Sequence, residues 1–282
     1  MVQKVGGSNP LAHPNPRAEP GALFVWEGGS PVRALVSDIH GNFDALSAVF
    51  EDIDAHGVDE VYFLGDVVGY GPEPEKCIDL IESRCSVHLL GNHDFAMLNA
   101  PVGFNPIAAG AIVCLRARME PGVYSMPWKR RRWKFLGELH QRHMADDILY
   151  VHASPRDPVV EYILPYDPVY DPGKCADIFS RVERACFVGH THIPGVMTEE
   201  PKFIFPADID FKFRLEPGAK YVFNLGSVGQ PRDRDPRASY VLFDGETVEW
   251  RRIEYDIDAV VAKVSKIDCI DDLAGERLRL GK

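Results

Sequence analysis

The chain has 282 residues, 45% hydrophobic and 26% charged, enough to bury a core of ordinary size in one large domain. Its 31 basic against 42 acidic residues leave a formal charge of -11, which argues against a general affinity for nucleic-acid backbones. No apolar stretch approaches the ~20 residues that span a bilayer, and the N-terminus lacks the basic-then-apolar layout of an export signal, so no membrane partner and a cytoplasmic location are expected.

Residues 1–30 are rich in Pro and Gly, a composition that buries too little surface to offset ordering entropy, and a flexible tail is expected there. The Leu23-Phe24-Val25-Trp26 run inside it is the one part with an apolar docking face. The main domain is expected over 31–255, with a C-terminal helix and tail over 256–282. Val32 to Ser37 reads as a strand, Leu46, Val49, Phe50 and Ile53 as a helical stripe, and Val61 to Leu64 as a second strand. Pro74 and the Cys77, Ile78, Leu80, Ile81 stripe predict another helix, and Val87 to Leu90 a third strand. Asp38 to Asp66 spans 28 residues and Asp66 to Asn92 spans 26, near the ~30 of a βαβ repeat, so the sheet is expected to begin parallel.

Two helical stretches follow, Ile107 to Met119 and Trp128 to His140, without obvious chemistry. Strands return at Ile148–Val151, Cys186–Val188, Phe203–Phe205, Tyr221–Leu225, Tyr240–Phe243 and Val248–Ile253, the later ones separated by turn signals, which predicts an antiparallel second half. A final amphipathic helix is expected near Ile257 to Ile267. The fold class is therefore α/β (α+β), two sheets packed face to face with helices outside. The six cysteines form no CxxC pair and are read as reduced thiols, mostly buried.

The chemistry sits where the apolar runs end. Asp38-Ile39-His40, Gly65-Asp66, Gly91-Asn92-His93-Asp94, Val151-His152 and Gly189-His190-Thr191-His192 place oxygen and nitrogen donors at the edge of a sheet. A pair of cations needs a shared anionic oxygen to offset their mutual repulsion, and Asp66, in the middle of the series and preceded by Gly65, is the candidate bridge. Asp38 and His40, two residues apart on a strand, are expected to grip one ion together, with Ile39 turned to the core. His190 and His192 repeat that spacing, His152 adds an imidazole and Asn92 a neutral carbonyl oxygen. Seven donors without thiolate suit Mn2+, Fe2+ or Zn2+ better than Ca2+ or Mg2+ alone. His93, directly after a ligand, is placed to donate a proton to a leaving group, and Asp94 to orient its ring.

Over about Val32 to Ile253 this motif order resembles the calcineurin-like metallophosphoesterases. The compact bacterial and archaeal phosphodiesterase-type members are most similar, partly through Gly69-Tyr70-Gly71-Pro72 and Gly226-Ser227-Val228-Gly229-Gln230-Pro231-Arg232. The resemblance implies a four-layer αββα sandwich. It implies Asp38, His40, Asp66 and His192 on one ion, Asp66, Asn92, His152 and His190 on the other, and His93 with Asp94 as the proton-donating pair. The expected reaction is phosphoester hydrolysis by a metal-bridging hydroxide, with a small phosphodiester, nucleotide or dinucleoside polyphosphate as substrate. Arg156, Arg232, Arg237, Asn105 and Tyr70 are candidate substrate contacts, Asn105 and Tyr70 also serving turns. The alternatives are a protein serine/threonine phosphatase and a noncatalytic scaffold; the scaffold predicts missing ligands, and none is missing. A serine hydrolase is disfavoured because Gly226-Ser227-Val228-Gly229 lacks the nucleophile-elbow spacing. The basic run Lys129 to Lys134 reads as a solvated helix face, and nothing in the chain specifies an oligomeric state.

Overall fold

The computed structural model describes residues 31–200 and 202–282, so the expected tail over 1–30 lies outside the described residues. The first half follows the βαβ repeat: β1 (Arg33–Val36), α1 (Phe43–Ala55), β2 (Glu60–Phe63), α2 (Pro74–Arg84) and β3 (Val87–His88). β1, β2 and β3 are parallel neighbours, with Leu35 opposite Tyr62 and Phe63 opposite His88. α1 starts at Asn42, whose side chain accepts the Ala45 amide, and buries Leu46, Val49, Phe50 and Ile53 on one face. Three helices come next, α3 (Asn92–Leu98), α4 (Pro106–Met119) and α5 (Pro127–Gly137). The first of these was not foreseen.

The second half comprises β4 (Arg142–Ala145), β5 (Ile148–Val151), α6 (Asp167–Tyr170), α7 (Pro172–Phe179), β6 (Ala185–Val188), β7 (Gly195–Thr198), β8 (Lys202–Ile204), β9 (Lys212–Arg214), β10 (Tyr221–Asn224), β11 (Ala238–Phe243) and β12 (Thr247–Ile253). The chain closes with α8 (Ile257–Val264) and α9 (Leu273–Glu276). The described residues form two six-stranded sheets, ordered β3-β2-β1-β11-β12-β9 and β4-β5-β6-β10-β7-β8. Both are mixed. The antiparallel reading of the second half is corrected at its centre, where β5, β6 and β10 run parallel. The reason is α7, a short crossover helix after β5 that lets β6 return in the same direction. It is begun by Asp171, whose side chain accepts the Lys174 amide, and eight residues gave too brief a stripe to read.

Side-chain alternation assigns each strand face. Leu35, Tyr62, Val241 and Phe243 meet Tyr150, Phe187 and Phe223 between the sheets. Their neighbours Ala34, Val36, Val61 and Phe63 turn the other way, under Leu46, Val49, Phe50 and Ile78. On the far sheet Leu149, Val151, Cys186 and Val188 face Cys175, Ile178 and Phe179 of α7. The layers are thus helix, sheet, sheet, helix. A one-residue slip in any strand would exchange these faces and expose side chains whose burial is worth ~1.5–3 kcal/mol each.

The cysteine reading is corrected at one pair. Cys114 on α4 and Cys269 after α8 are joined as a disulfide with Cα atoms 5.7 Å apart at a sequence separation of 155, while Cys77, Cys85, Cys175 and Cys186 are buried free thiols. Spacing alone carried no sign of a contact made only by packing α8 against the first-sheet helices. Among the described residues no helix is long and apolar enough to cross a membrane. The C-terminal ends of β1, β2, β3, β5 and β6 all open on one edge, and the segments carrying Asp38, Asp66, Asn92, His152 and His190 follow them there.

Candidate metal centre

The donor residues stand on loops beyond the strand ends, locked to one another through their backbones. Asp38 N–H donates to Gly65 O at 3.0 Å, His40 N–H to Asp66 O at 3.0 Å and Gly189 N–H to His152 O at 2.8 Å. Asp38, His40, Asp66, His190 and His192 all have φ between 48° and 65°, the left-handed region that costs a side-chain-bearing residue ~1–2 kcal/mol. The pleated-strand explanation for Asp38 and His40 is therefore corrected: β1 ends at Val36, and their shared direction comes from two left-handed turns flanking Ile39, which does face the core. Gly65, at φ 98°, permits the closest approach, since a Cβ there would lie 2.7 Å from Gly91 N and 2.8 Å from His152 Nδ1.

Hydrogen bonds set each imidazole's tautomer, because a carbonyl only accepts. His40 Nδ1–H donates to Val68 O at 3.1 Å, His152 Nδ1–H to Leu64 O at 2.9 Å and His192 Nδ1–H to Gln230 O at 2.5 Å, leaving all three Nε2 lone pairs bare. His190 is reversed: Nε2–H donates to Val160 O at 3.1 Å, so Nδ1 is its bare atom. The donor atoms gather in three sets, Asp38 with His40 and His192, His40 with Asp66 and His93, and Asp66 with His152 and His190, the middle one sharing His40 with the first and Asp66 with the last. His192 Nε2 is 3.1 Å from Asp38 Oδ1 and 3.1 Å from His40 Nε2, while Asn92 Oδ1 is 3.3 Å from His152 Nε2. Asp66 joins the sets. Its Oδ1 accepts the His93 amide at 2.8 Å, and Oδ2 lies 3.7 Å from His40 Nε2 and 3.5 Å from His152 Nε2.

These contacts bring lone pair to lone pair in a buried site, and a cation is what such an arrangement fits. Burial holds the His40, His93, His152 and His190 rings below their ordinary pKa, and brings His192 to about 4 with help from the Arg232 charge. Neutral imidazole is the form that ligates. Burial also drives the Asp66 carboxyl well above the carboxylate range, with Asp94 and Asp38 adding repulsion. Asp38 goes down: burial opposes its charge, but His192, His152 and His40 outweigh it. Positive charge placed between Asp38 and Asp66 would relieve the crowding that these directions report.

The predicted His93–Asp94 pair separates. Both Asp94 oxygens accept backbone amides, from Asp66 at 2.7 Å, Val67 at 3.0 Å, Val68 at 3.3 Å and Gly91 at 3.2 Å, so this carboxylate braces the Asp66 loop and the start of α3 instead of the His93 ring. Burial raises its pKa to about 7 against the pull of those four donors. His93 Nδ1 is buried without a partner, and its ring packs on His40, Tyr70 and Phe104 at 4.7–4.9 Å. Gly69, at φ 114°, makes room: a Cβ there would sit 2.5 Å from His93 Nδ1.

A cavity of about 490 Å³ opens over the metal set, lined by Asp66, Asn92, His93, His190 and His192 together with Tyr70, Phe104, Asn105, Tyr162 and Arg232. Of the five candidate substrate contacts, Tyr70, Asn105 and Arg232 lie here. Asn105 also caps α4, accepting the Ala108 amide at 3.0 Å. Arg232 is steadied by Gln230 Oε1 at 2.9 Å and Tyr70 OH at 3.4 Å. Arg156 and Arg237 do not line it; nearby carboxylates hold them, Glu161 and Asp177 at 3.3 and 3.4 Å for Arg156, and Asp235 at 3.0 Å for Arg237. Tyr162 and Val160 went unread. The Tyr162 ring lies 3.9 Å from the His190 ring, and nothing in the segment after His152 signals that contact.

The sequence model of the calcineurin-like phosphoesterases matches residues 33–194, more than half of the chain. An uncharacterized protein of Methanocaldococcus jannaschii is 36% identical over 258 residues, covering 88% of this chain and 98% of the relative. The crystal structure of a metallophosphoesterase from Sphaerobacter thermophilus superposes with a TM-score of 0.75 at 32% identity, over 90% of this chain and all of that one. A hypothetical protein of Pyrococcus horikoshii shares the fold at a TM-score of 0.68 and 19% identity, over 89% and 98% of the two chains. The chain belongs to the calcineurin-like phosphoesterase family. Membership carries phosphoester hydrolysis with divalent metal ions as the class of activity.

Proposed function

We propose that this chain hydrolyses small phosphodiesters or nucleotides at a dinuclear centre of Mn2+, Fe2+ or Zn2+, with Asp38, His40, Asp66 and His192 on one ion and Asp66, Asn92, His152 and His190 on the other. The observation that carries the reading is Asp66 Oδ2, set between His40 Nε2 and His152 Nε2 at 3.7 and 3.5 Å with its other oxygen committed to the His93 amide. When bound, two such cations supply an activated water and a clamp on the phosphoryl oxygens. Arg232, its fork steadied by Gln230 and Tyr70, is placed to hold a phosphate oxygen and spread its charge. His93 delivers a proton to the departing oxygen. Burial, with the Arg232 charge, holds its ring below the ordinary imidazole pKa. Tyr70, Phe104 and Tyr162 supply aromatic walls suited to a small ring-bearing ester more than to a protein surface.

Metal-stripped protein titrated with Mn2+ should take up two ions per chain by elemental analysis and regain turnover of bis-nitrophenyl phosphate. Asp66→Asn should lose one ion and at least about 100-fold in turnover. A stripped protein that takes up no ion contradicts the reading. A panel of monoesters, cyclic nucleotides, dinucleoside polyphosphates and a phosphopeptide ranks the substrates; fastest turnover of the phosphopeptide would replace small esters by phosphoproteins.

A further inference from the structure

A second cavity, also about 490 Å³, lies beside the first. The two share Arg232, and the wall continues along the chain: His192 lines the metal cavity, and Ile193 and Pro194 line the second. The Arg232 amide donates to His192 O at 3.2 Å, which fixes that shared wall. Pro165, Pro194, Phe205 and Phe211 give the new cavity mostly apolar sides, and Phe205, its ring against Phe203 at 5.2 Å, remains 43% exposed. Arg252 also lines it, its guanidinium held by Asp233 with Asp235 Oδ2 3.8 Å from Nε.

We propose that this cavity seats a planar aromatic ring, nucleobase or aryl group, carried by one arm of the phosphate ester whose phosphoryl group sits at the metal centre. The inference rests on the phosphoesterase reading and names the shape of its substrate. Proline and phenylalanine faces give a ring apolar contact at modest entropic cost, since proline has no rotamers to lose and phenylalanine only two side-chain torsions. The volume falls within the ~300–1,000 Å³ of small-ligand sites. Arg232 stands where the phosphoryl group and the ring arm must join, so one side chain serves both cavities.

The test is calorimetric affinity of the metal-loaded chain for methyl phosphate, phenyl phosphate and adenosine 5′-monophosphate. Either ring-bearing phosphate should bind at least about tenfold tighter than methyl phosphate, and the better of the two identifies the ring as nucleobase or aryl. Phe205→Ala, which removes a wall, and Ala207→Trp, which fills the cavity from its rim, should each abolish most of that ratio, methyl phosphate affinity reporting an intact metal site. Equal affinity for all three phosphates in the unmodified chain, or a ratio that survives both substitutions, overturns the ring site. A metal-loaded chain that binds none of the three fails at the phosphoesterase reading itself and takes the ring site with it.

Discussion

Asp38, His40, Asp66, Tyr70, His190 and His192 sit in left-handed backbone, and their side chains converge because of it. Each such residue costs ~1–2 kcal/mol, a strain that persists only where the surroundings over-determine it. Asp94 is central to that determination, since its two oxygens take the amides of Asp66, Val67, Val68 and Gly91. An amide in its place has one accepting oxygen and cannot serve all four, so Asp94→Asn should weaken metal affinity by about 10- to 100-fold, read by Mn2+ titration. His93→Ala should behave differently. Turnover of an alkyl ester should drop by about 10²- to 10⁴-fold while bis-nitrophenyl phosphate, whose leaving group needs no proton, changes far less. Equal losses on both esters would remove His93 from the proton path. The candidate donor segments were legible because donors closing apolar runs form a local pattern. The Asp94 contacts were not, because they depend on which neighbouring loop lies within 3 Å of its carboxylate.

Elements are tied together by charge at the helical face of the first sheet. Asp52 on α1 accepts from Arg251 on β12 at 2.9 and 3.1 Å and from the Tyr240 hydroxyl on β11 at 2.5 Å. Burial works to raise the Asp52 carboxyl, but the Arg251 and Tyr240 hydrogen bonds outweigh it and hold the group below its ordinary 3.8. A depressed carboxylate contributes stability that is fully present above 3.8 and is lost as pH falls through the lower folded value. Asp52→Asn should therefore cost about 1–2 kcal/mol at pH 7 in urea denaturation, a modest figure because the pair is partly solvated. The difference from the unmodified chain should shrink as the pH falls below 3.8 and through the lower folded value. A difference that is constant with pH would mean the substitution acts through packing instead. β1 to β3, α1, α2 and α4 were legible because each carries a long stripe or a βαβ spacing. The missed elements, α3, β4, α6, α7, β7, β9 and α9, run three to eight residues, too short for periodicity to separate from a loop.

Across the whole molecule, the Cys114–Cys269 disulfide pins the segment between α8 and α9 to α4, whose first turn borders the metal cavity. Closing a loop of 155 residues restricts the unfolded chain, so Cys269→Ser should lower stability by about 2–4 kcal/mol, and reduction of the unmodified chain should give the same loss. Unchanged denaturation midpoints on reduction would show that the thiols do not pair in solution. The same terminal region reaches the loop after Arg232 through the Arg234 amide, which donates to Gly281 O at 2.9 Å. The amino-acid order by itself determined the donor set, the βαβ start, the alternation that assigns strand faces and the family. Each of these is written in short-range periodicity and motif, which the chain carries without being folded. Tertiary structure alone decided that His192 meets Asp38 and His40, which nitrogen each imidazole leaves bare, that β5, β6 and β10 run parallel, and that Pro165, Pro194, Phe205, Phe211 and Arg252 enclose a cavity beside the candidate metal centre. These are contacts between distant stretches, chosen by how apolar faces pack and by where buried polar atoms find partners, and no local pattern encodes that choice.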